Sequence, residues 1–289
     1  MNGILIVNKP IDYTSRDVVN KLTKIFQTKK IGHTGTLDPL ATGVLVVCIG
    51  KYTTLCELLT SKYKEYIATI KLGIKTDTLD ITGNIIEKKE YNITREELEE
   101  VLKSFIGKSI QTVPIYSAVK VNGKKLYEYA REGKEVELPK REINITNIEL
   151  LEFNNDEIKF KTTVSKGTYI RALIDDICKK LNTVGCMSSL QRTKQGKFTL
   201  EESYTLEDIE KNNYKLLPIE EVLDDIETVN IDEKTYKKVL NGAIIPKSFN
   251  DDIACLRYKN KVIALYKTYE KDITLSKPYK MFTGGGISE

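Results

Sequence analysis

The sequence predicts an α+β chain in two parts: strands and helices intermixed through residue 228, then a small, mainly β unit over residues 229–289. Three observations predict it. Residues 44–49 form an unbroken apolar run of strand length, and residues 64–73 alternate with period two. Residues 143–153 and 157–164 read as a hairpin around Asn154-Asn155-Asp156. Helix signals fall between them, at Thr14-Ser15 and at the capping box Thr94 to Glu97.

The elements follow in order. Residues 3–7 are a short apolar strand ending in Asn8-Lys9-Pro10, and Thr14-Ser15 caps a helix running to about Gln27. The stretch 32–45, GHTGTLDPLATGVL, holds the only histidine, His33, and the sole acid between Asp17 and Glu57, which is Asp38. Pro39 crowds Asp38 out of the helical region, so this acid sits on a loop, and Gly32, Gly35 and Gly43 give that loop freedom and close approach. Spacing alone leaves two readings open: an exposed reactive carboxylate, or an Asx-type turn closed by the Asp38 side chain.

Residues 53–61 read as a short helix. In the strand 64–73, Tyr66, Ala68, Ile70 and Leu72 share one face, which makes Tyr66 a core tyrosine at the strand entrance whose hydroxyl needs a partner. Asp77 and Asp80 in the loop 76–83 are too few for a metal site and read as acids that fix the loop. A helix covers 94–106, ended by Gly107. Gly107-Lys108-Ser109 lacks the glycine a P-loop needs five residues earlier, where Leu102 stands, so nucleotide-triphosphate binding is excluded.

Residues 113–133 read as strand, turn at Asn122-Gly123 and helix, with Lys120, Lys124, Lys125 and Arg131 interleaved with Tyr127 and Tyr129. That pattern suits phosphate contact with base stacking, or a solvated helix whose glutamates balance its charge. Ser165-Lys166-Gly167-Thr168-Tyr169-Ile170-Arg171 leads into an apolar helix to about Leu181. Arg171 in its first turn opposes the helix dipole, which argues for a specific partner. Arg192, Lys194 and Lys197 follow in a strand-like basic run, then a closing helix near 217–227. After Asn230 short alternating stretches surround a turn at Asn241-Gly242.

Composition narrows the function classes. The net charge of +4 lies wholly in residues 229–289, which carry eleven lysines and arginines against seven acids. Five cysteines, at 48, 56, 178, 186 and 255, form no CxxC, so zinc sites and Cys-His nucleophile pairs are poorly supported. The absence of a signal peptide and of any apolar stretch of spanning length predicts a soluble cytoplasmic protein.

Gly32, His33, Gly35, Thr36, Leu37, Asp38, Pro39, Ala41, Gly43 and Leu45 fill every fixed position of a signature loop. The chain thereby resembles the TruB family of tRNA pseudouridine synthases. The likeness extends through Lys9-Pro10 with Thr14-Ser15, Lys64 to Gly73, Thr76 to Gly83, the run from Pro114 to Gly133, and Ser165 to Arg171. Gln191 departs from it, standing where an arginine is usual.

The resemblance implies the pseudouridine synthase fold, a mixed, largely antiparallel central sheet flanked by helices, with a small C-terminal β-barrel-like domain of the PUA type. It implies a catalytic domain over 1–228 and an RNA-binding domain over 229–289. The activity it implies is conversion of uridine 55 in the tRNA T-loop after base flipping, with Asp38, Tyr66 and Arg171 catalytic and Arg171 paired to Asp38. His33, Lys9, Asp80, Lys120, Tyr169 and Arg192 would bind substrate. Neither metal nor cofactor is implied, and the partner is the tRNA T-arm, met by a monomer without membrane or protein partner. Two other readings remain: a non-catalytic RNA-folding protein using the same surface, and the catalytic subunit of a guide-RNA particle.

Overall fold

The computed structural model describes residues 1–60, 62–154 and 156–282. Its main sheet runs in the order Gly3–Lys9, Thr42–Ile49, Gly185–Gln195, Tyr63–Leu72, Glu157–Ser165, Lys140–Phe153, Gly107–Thr112. Two short strands, Ile31–His33 and Phe198–Thr199, flank Thr42–Ile49 and Gly185–Gln195. Thr42–Ile49 and Gly185–Gln195 are the sole parallel neighbours in this sheet among the described residues. The sheet is thus mixed and largely antiparallel, with helices against it.

Within Thr42–Ile49, residues 44–49 are apolar without a break because both faces of the strand are covered. Leu45, Val47 and Ile49 join Leu5 and Val7 under the helix Ser15–Ile25, burying its Val18, Val19 and Leu22. Val44, Val46 and Cys48 join Ile4 and Ile6 on the opposite face, against Cys255, Val262, Leu265 and Phe282 of the C-terminal unit. Tyr63–Leu72 alternates as its sequence predicts. Tyr66, Ala68, Ile70 and Leu72 enter a separate core with the helices Arg95–Lys103 and Ile170–Lys180.

Caps place the helices. Thr14 accepts from the Asp17 backbone N–H while the Asp17 carboxylate accepts from the Thr14 N–H, a reciprocal box. Thr94 caps Arg95–Lys103 through the Glu97 N–H, and Gly107, at φ +111, turns the chain into the next strand. The predicted helix 53–61 is instead a 3₁₀ turn, Gly50–Leu55, followed by hydrogen-bonded turns, and its last residue, Ser61, lies outside the described residues. Asn155 of the predicted hairpin turn does so as well, although the two strands pair as expected.

The C-terminal sheet runs Thr228–Asn230, Ile253–Tyr258, Lys261–Tyr269, Asp272–Met281, Ile245–Pro246. One expectation is corrected here: Asn241-Gly242 is no turn between strands but the end of a helix, Glu233–Leu240. Asp232 caps its start through the Thr235 N–H, and Gly242 adopts φ +65 past its end. No helix among the described residues is long and apolar enough to cross a membrane.

Candidate active site

The loop between Ile31–His33 and Thr42–Ile49 presents Asp38, and every backbone carbonyl from Gly35 to Pro39 is engaged. Arg192 donates from Nη2 to Gly35 O at 3.0 Å and from Nη1 to Thr36 O at 3.5 Å. Ser15 Oγ accepts from the Leu37 N–H at 2.9 Å and donates to Leu37 O at 3.4 Å. Asp38 O accepts from the Ala41 N–H at 3.0 Å, and Pro39 O takes the Asp12 N–H at 3.0 Å and Lys9 Nζ at 3.2 Å. The turn at Asp38-Pro39 is therefore closed by backbone, and the carboxylate is spent elsewhere.

Its Oδ2 accepts from Arg171 Nε at 2.9 Å. Arg171 is buried, and its other two nitrogens donate to Thr78 O and Tyr116 O, each at 3.0 Å. Three acceptors from three separate segments explain a cation in the first turn of the helix Ile170–Lys180, against the dipole. The Asp38 side chain remains 39% exposed, so one side of the carboxylate is clamped and the other is open.

It opens onto a cavity of about 260 Å³, lined by Asp38, Lys64, Tyr66, Tyr169, Arg171 and Leu190 among others. Tyr169 is fixed through its backbone, which donates to Gln111 Oε1 at 2.8 Å and accepts from Gln111 Nε2 at 3.1 Å. Arg141 lies over its ring at 5.7 Å. Burial pushes the Lys64 amine down to about 8, helped by Arg192 and Lys166. Burial likewise takes Lys9 to about 8, with Asp38, Asp12 and Asp17 pulling the other way.

Of the residues predicted for the site, Asp38, Tyr66, Tyr169 and Arg171 meet at this cavity. The others stand elsewhere. Lys9 is fully buried behind the loop, donating to the carbonyls of Pro10, Tyr13 and Pro39, so it positions the Asp38 turn and does not face substrate. Arg192, predicted to bind RNA, is also fully buried, with its Nε on Val44 O at 2.7 Å; it is a clamp under the loop and reaches no phosphate.

Asp80 fixes its own loop, as its residues suggest, and does not line the cavity. Its carboxylate accepts from Thr78 Oγ1, the Thr82 N–H and Thr82 Oγ1, which shapes the loop whose Thr78 carbonyl holds Arg171. His33 ends its short strand with Nδ1 buried and unpartnered among the described residues. Burial, then Arg192 and Arg16, lower its pKa. Lys120 is exposed on the short hairpin Lys120–Val121 with Lys124–Lys125. Around it, Lys124 pairs with Glu132 and rests on Tyr129, while Lys125 and Arg131 rest on Tyr127, closer to the charge-balanced reading of that segment.

Sequence reasoning missed Ser15 and Lys64. Ser15 follows the true cap, Thr14, so its hydroxyl was free for a partner 22 residues away. Lys64 shares the period-two face of Tyr66, a signal that was present in the strand. Among the described residues no group of three or more histidines, cysteines or acids could hold a metal ion.

Comparison with known proteins adds the family. Residues 23–170 match the model described as TruB family pseudouridylate synthase (N terminal domain), and residues 171–230 that of the tRNA pseudouridylate synthase B C-terminal domain. The chain is 44% identical over 300 residues to the tRNA pseudouridine synthase B of Bacillus licheniformis, covering 97% of each. It is 42% identical to that of Bacillus subtilis over 301 residues, again 97% of each. Among solved structures, a chain of a Cbf5-Nop10-Gar1 complex superposes with a TM-score of 0.71 at 25% identity, over 98% of this chain and 84% of that one. A chain of an H/ACA RNP bound to a substrate RNA containing 2'-deoxyuridine superposes with a TM-score of 0.72 at 24% identity, over 98% and 85%, a likeness of fold.

Proposed function

The chain belongs to the TruB family of pseudouridylate synthases, and from that premise we propose that it converts uridine 55 of the tRNA T-loop to pseudouridine, with Asp38 as the reacting group. At the coarser level it is a tRNA pseudouridine synthase, an isomerase. The observation that carries the finer reading is the open carboxylate of Asp38 on a loop whose five successive carbonyls are already bonded.

The isomerisation breaks the N1–C1′ bond, turns the uracil, and forms a C5–C1′ bond. N1 gains a proton and C5 gives one up, so atoms balance without an oxidant, a reductant or a transferred group. The chain must supply a group acting on the nucleoside, an orienting partner, and a surface for the detached base. With Oδ2 held by Arg171, Asp38 has Oδ1 for the nucleoside, and the pair orients the carboxylate. Tyr66 and Leu190 furnish ring and hydrocarbon walls for the uracil.

Uridine in a folded T-loop must be extruded to reach this cavity, at a cost of a few kcal/mol, roughly what stacking on one or two aromatic rings returns. A monomer meeting the T-arm alone, with residues 1–228 catalytic and 229–289 binding RNA, completes the proposal.

Asp38→Asn tests it. The amide keeps an oxygen for Arg171, so affinity for a T-arm hairpin should stay within a few fold, while release of the C5 proton from labelled uridine falls by on the order of a thousandfold or more. Turnover retained in this variant would remove Asp38 from the chemistry. A wild-type protein that binds the hairpin and releases no proton would favour a non-catalytic RNA-folding role.

A further inference from the structure

We infer that Lys64 anchors a backbone phosphate of the extruded nucleotide, giving the Asp38 cavity a phosphate subsite beside its reacting carboxylate. The inference rests on the tRNA reading above and adds to it the contact that seats the sugar-phosphate once the base has turned inward.

Three observations lead there. Lys64 stands two residues before Tyr66 on Tyr63–Leu72, so both side chains leave the strand on the same face and line the same cavity. Its ammonium has no hydrogen-bond acceptor and no acidic partner among the described residues. The charged groups that act on it, Arg192 and Lys166, are both cations. The nearby acid, Asp38, is already held by Arg171.

Gly35 supplies the third. Its φ is not in the left-handed region, so backbone conformation does not require glycine there. A Cβ at Gly35 would stand 3.1 Å from Lys64 Nζ and 3.6 Å from Arg192 Nη1. The missing methyl leaves room for two cationic side chains to converge on one point. Arg192 is fully buried with each guanidinium nitrogen on a backbone carbonyl, of Val44, Thr36 and Gly35, which leaves Lys64 as the cation of this pair that lines the cavity.

A half-buried cation with no partner of its own is unfavourable in the free protein, and its pKa is lowered by burial first and then by Arg192 and Lys166. An arriving anion relieves that cost. The substrate is a polyanion, and a nucleotide flipped into this cavity carries its own phosphodiesters with it. A carbonyl of the uracil is the rival acceptor, and it differs in having no charge.

The experiment uses full-length protein and a T-arm hairpin made either natural or with a neutral methylphosphonate at one of the two linkages flanking the target uridine. Lys64→Met should raise KM about tenfold or more with kcat within a few fold, as expected for loss of one charge-assisted contact. The slope of log affinity against log salt should shrink by about 0.7 to 0.9, and Lys64→Arg should restore most of both. On one of the two neutral hairpins the wild type should fall to the level of Lys64→Met and the variant should lose nothing more.

The inference is overturned if Lys64→Met binds as wild type does, or if its penalty stays the same on both neutral hairpins; the latter result assigns the contact to the base. Lys64→Gln, read the same way, covers the case in which the methionine variant fails to fold. Failure of wild-type protein to turn over the natural hairpin would count against the tRNA reading instead, and phosphate binding would then be read from wild-type and Lys64→Met affinities for the natural and neutral hairpins.

Discussion

Asp38 and Lys64 show opposite ways of placing a charge beside one cavity. Asp38 is satisfied before substrate arrives, by Arg171 on its side chain and by Ser15, Lys9 and Arg192 on the backbone around it. Lys64 is left unsatisfied, and the cost has a pH signature. In the folded chain its amine titrates at about 8, against 10.5 ordinarily, so the unfolded chain holds more protons between those values. The cost of charging it is fully present below pH 8 and is relieved as pH climbs toward 10. Arg192 and Lys166 face it, with Asp38 and Arg171 elsewhere on the cavity wall. Denaturant melts should therefore find Lys64→Met more stable than wild type at pH 7, with the advantage shrinking between pH 8 and 10. A gap that widens with pH would mean that the amine is stabilised in the fold.

At this scale the sequence was legible where a residue contradicted its surroundings. Arg171 in a helix's first turn announced a partner, and the partner is 133 positions away. Arg192 gave the opposite impression, because Lys194 and Lys197 follow it in one basic run. Whether a cation serves phosphate or a neighbouring loop's carbonyls depends on which way the strand points, and local composition does not carry that.

The strand Gly185–Gln195 explains the misreading. Strict alternation would put Arg192 and Lys194 on one face, but a register shift against Tyr63–Leu72 falls between them. Past that bulge Lys194 turns outward and Gln195 is buried, donating to Thr34 Oγ1 at the start of the Asp38 loop. Bulges are set by the partner strand and leave little trace in a single sequence. The helix Glu233–Leu240 was hidden differently, since Asn-Gly is a strong hairpin signal that also suits a helix end. Strands with plain alternation or an unbroken apolar run, Tyr63–Leu72 and Thr42–Ile49, were legible at once.

Gly43 joins the Asp38 loop to this sheet. It adopts φ +98, and a Cβ there would meet Arg192 O at 2.3 Å, where Thr42–Ile49 runs parallel to Gly185–Gln195. Gly43→Ala adds a strained φ, worth about 1–3 kcal/mol, to a backbone clash that must part the two strands. The expected outcome is a loss of several kcal/mol of stability in urea melts, with kcat falling more than KM grows because Arg192 no longer seats Gly35 and Thr36. Wild-type stability in this variant would show that the contact between these strands can yield.

At the scale of the whole molecule, the basic C-terminal unit is tied to the main sheet by shared core. Cys255, Val262, Leu265 and Phe282 pack on Ile4, Ile6, Val44, Val46 and Cys48, and Glu220 accepts the Val262 N–H at 2.9 Å. The face of the sheet opposite the helix Ser15–Ile25 has this cover, so the unit supports the strand that leaves the Asp38 loop as well as carrying the positive excess. The C-terminal unit has a core of its own, around Val239, Phe249, Leu256 and Tyr266, and shares this second one with the larger sheet. Four apolar side chains of this kind contribute on the order of 5 kcal/mol or more by burial, which for a domain of this size corresponds to roughly 10 °C or more in Tm. Deleting residues 229–289 should lower the melting temperature by at least that much or leave the remainder insoluble, and the intact chain should unfold in a single calorimetric transition. Two separated transitions, with a truncated chain that keeps the Tm of its part, would instead establish the C-terminal unit as an independently folded module tethered to a self-sufficient catalytic domain.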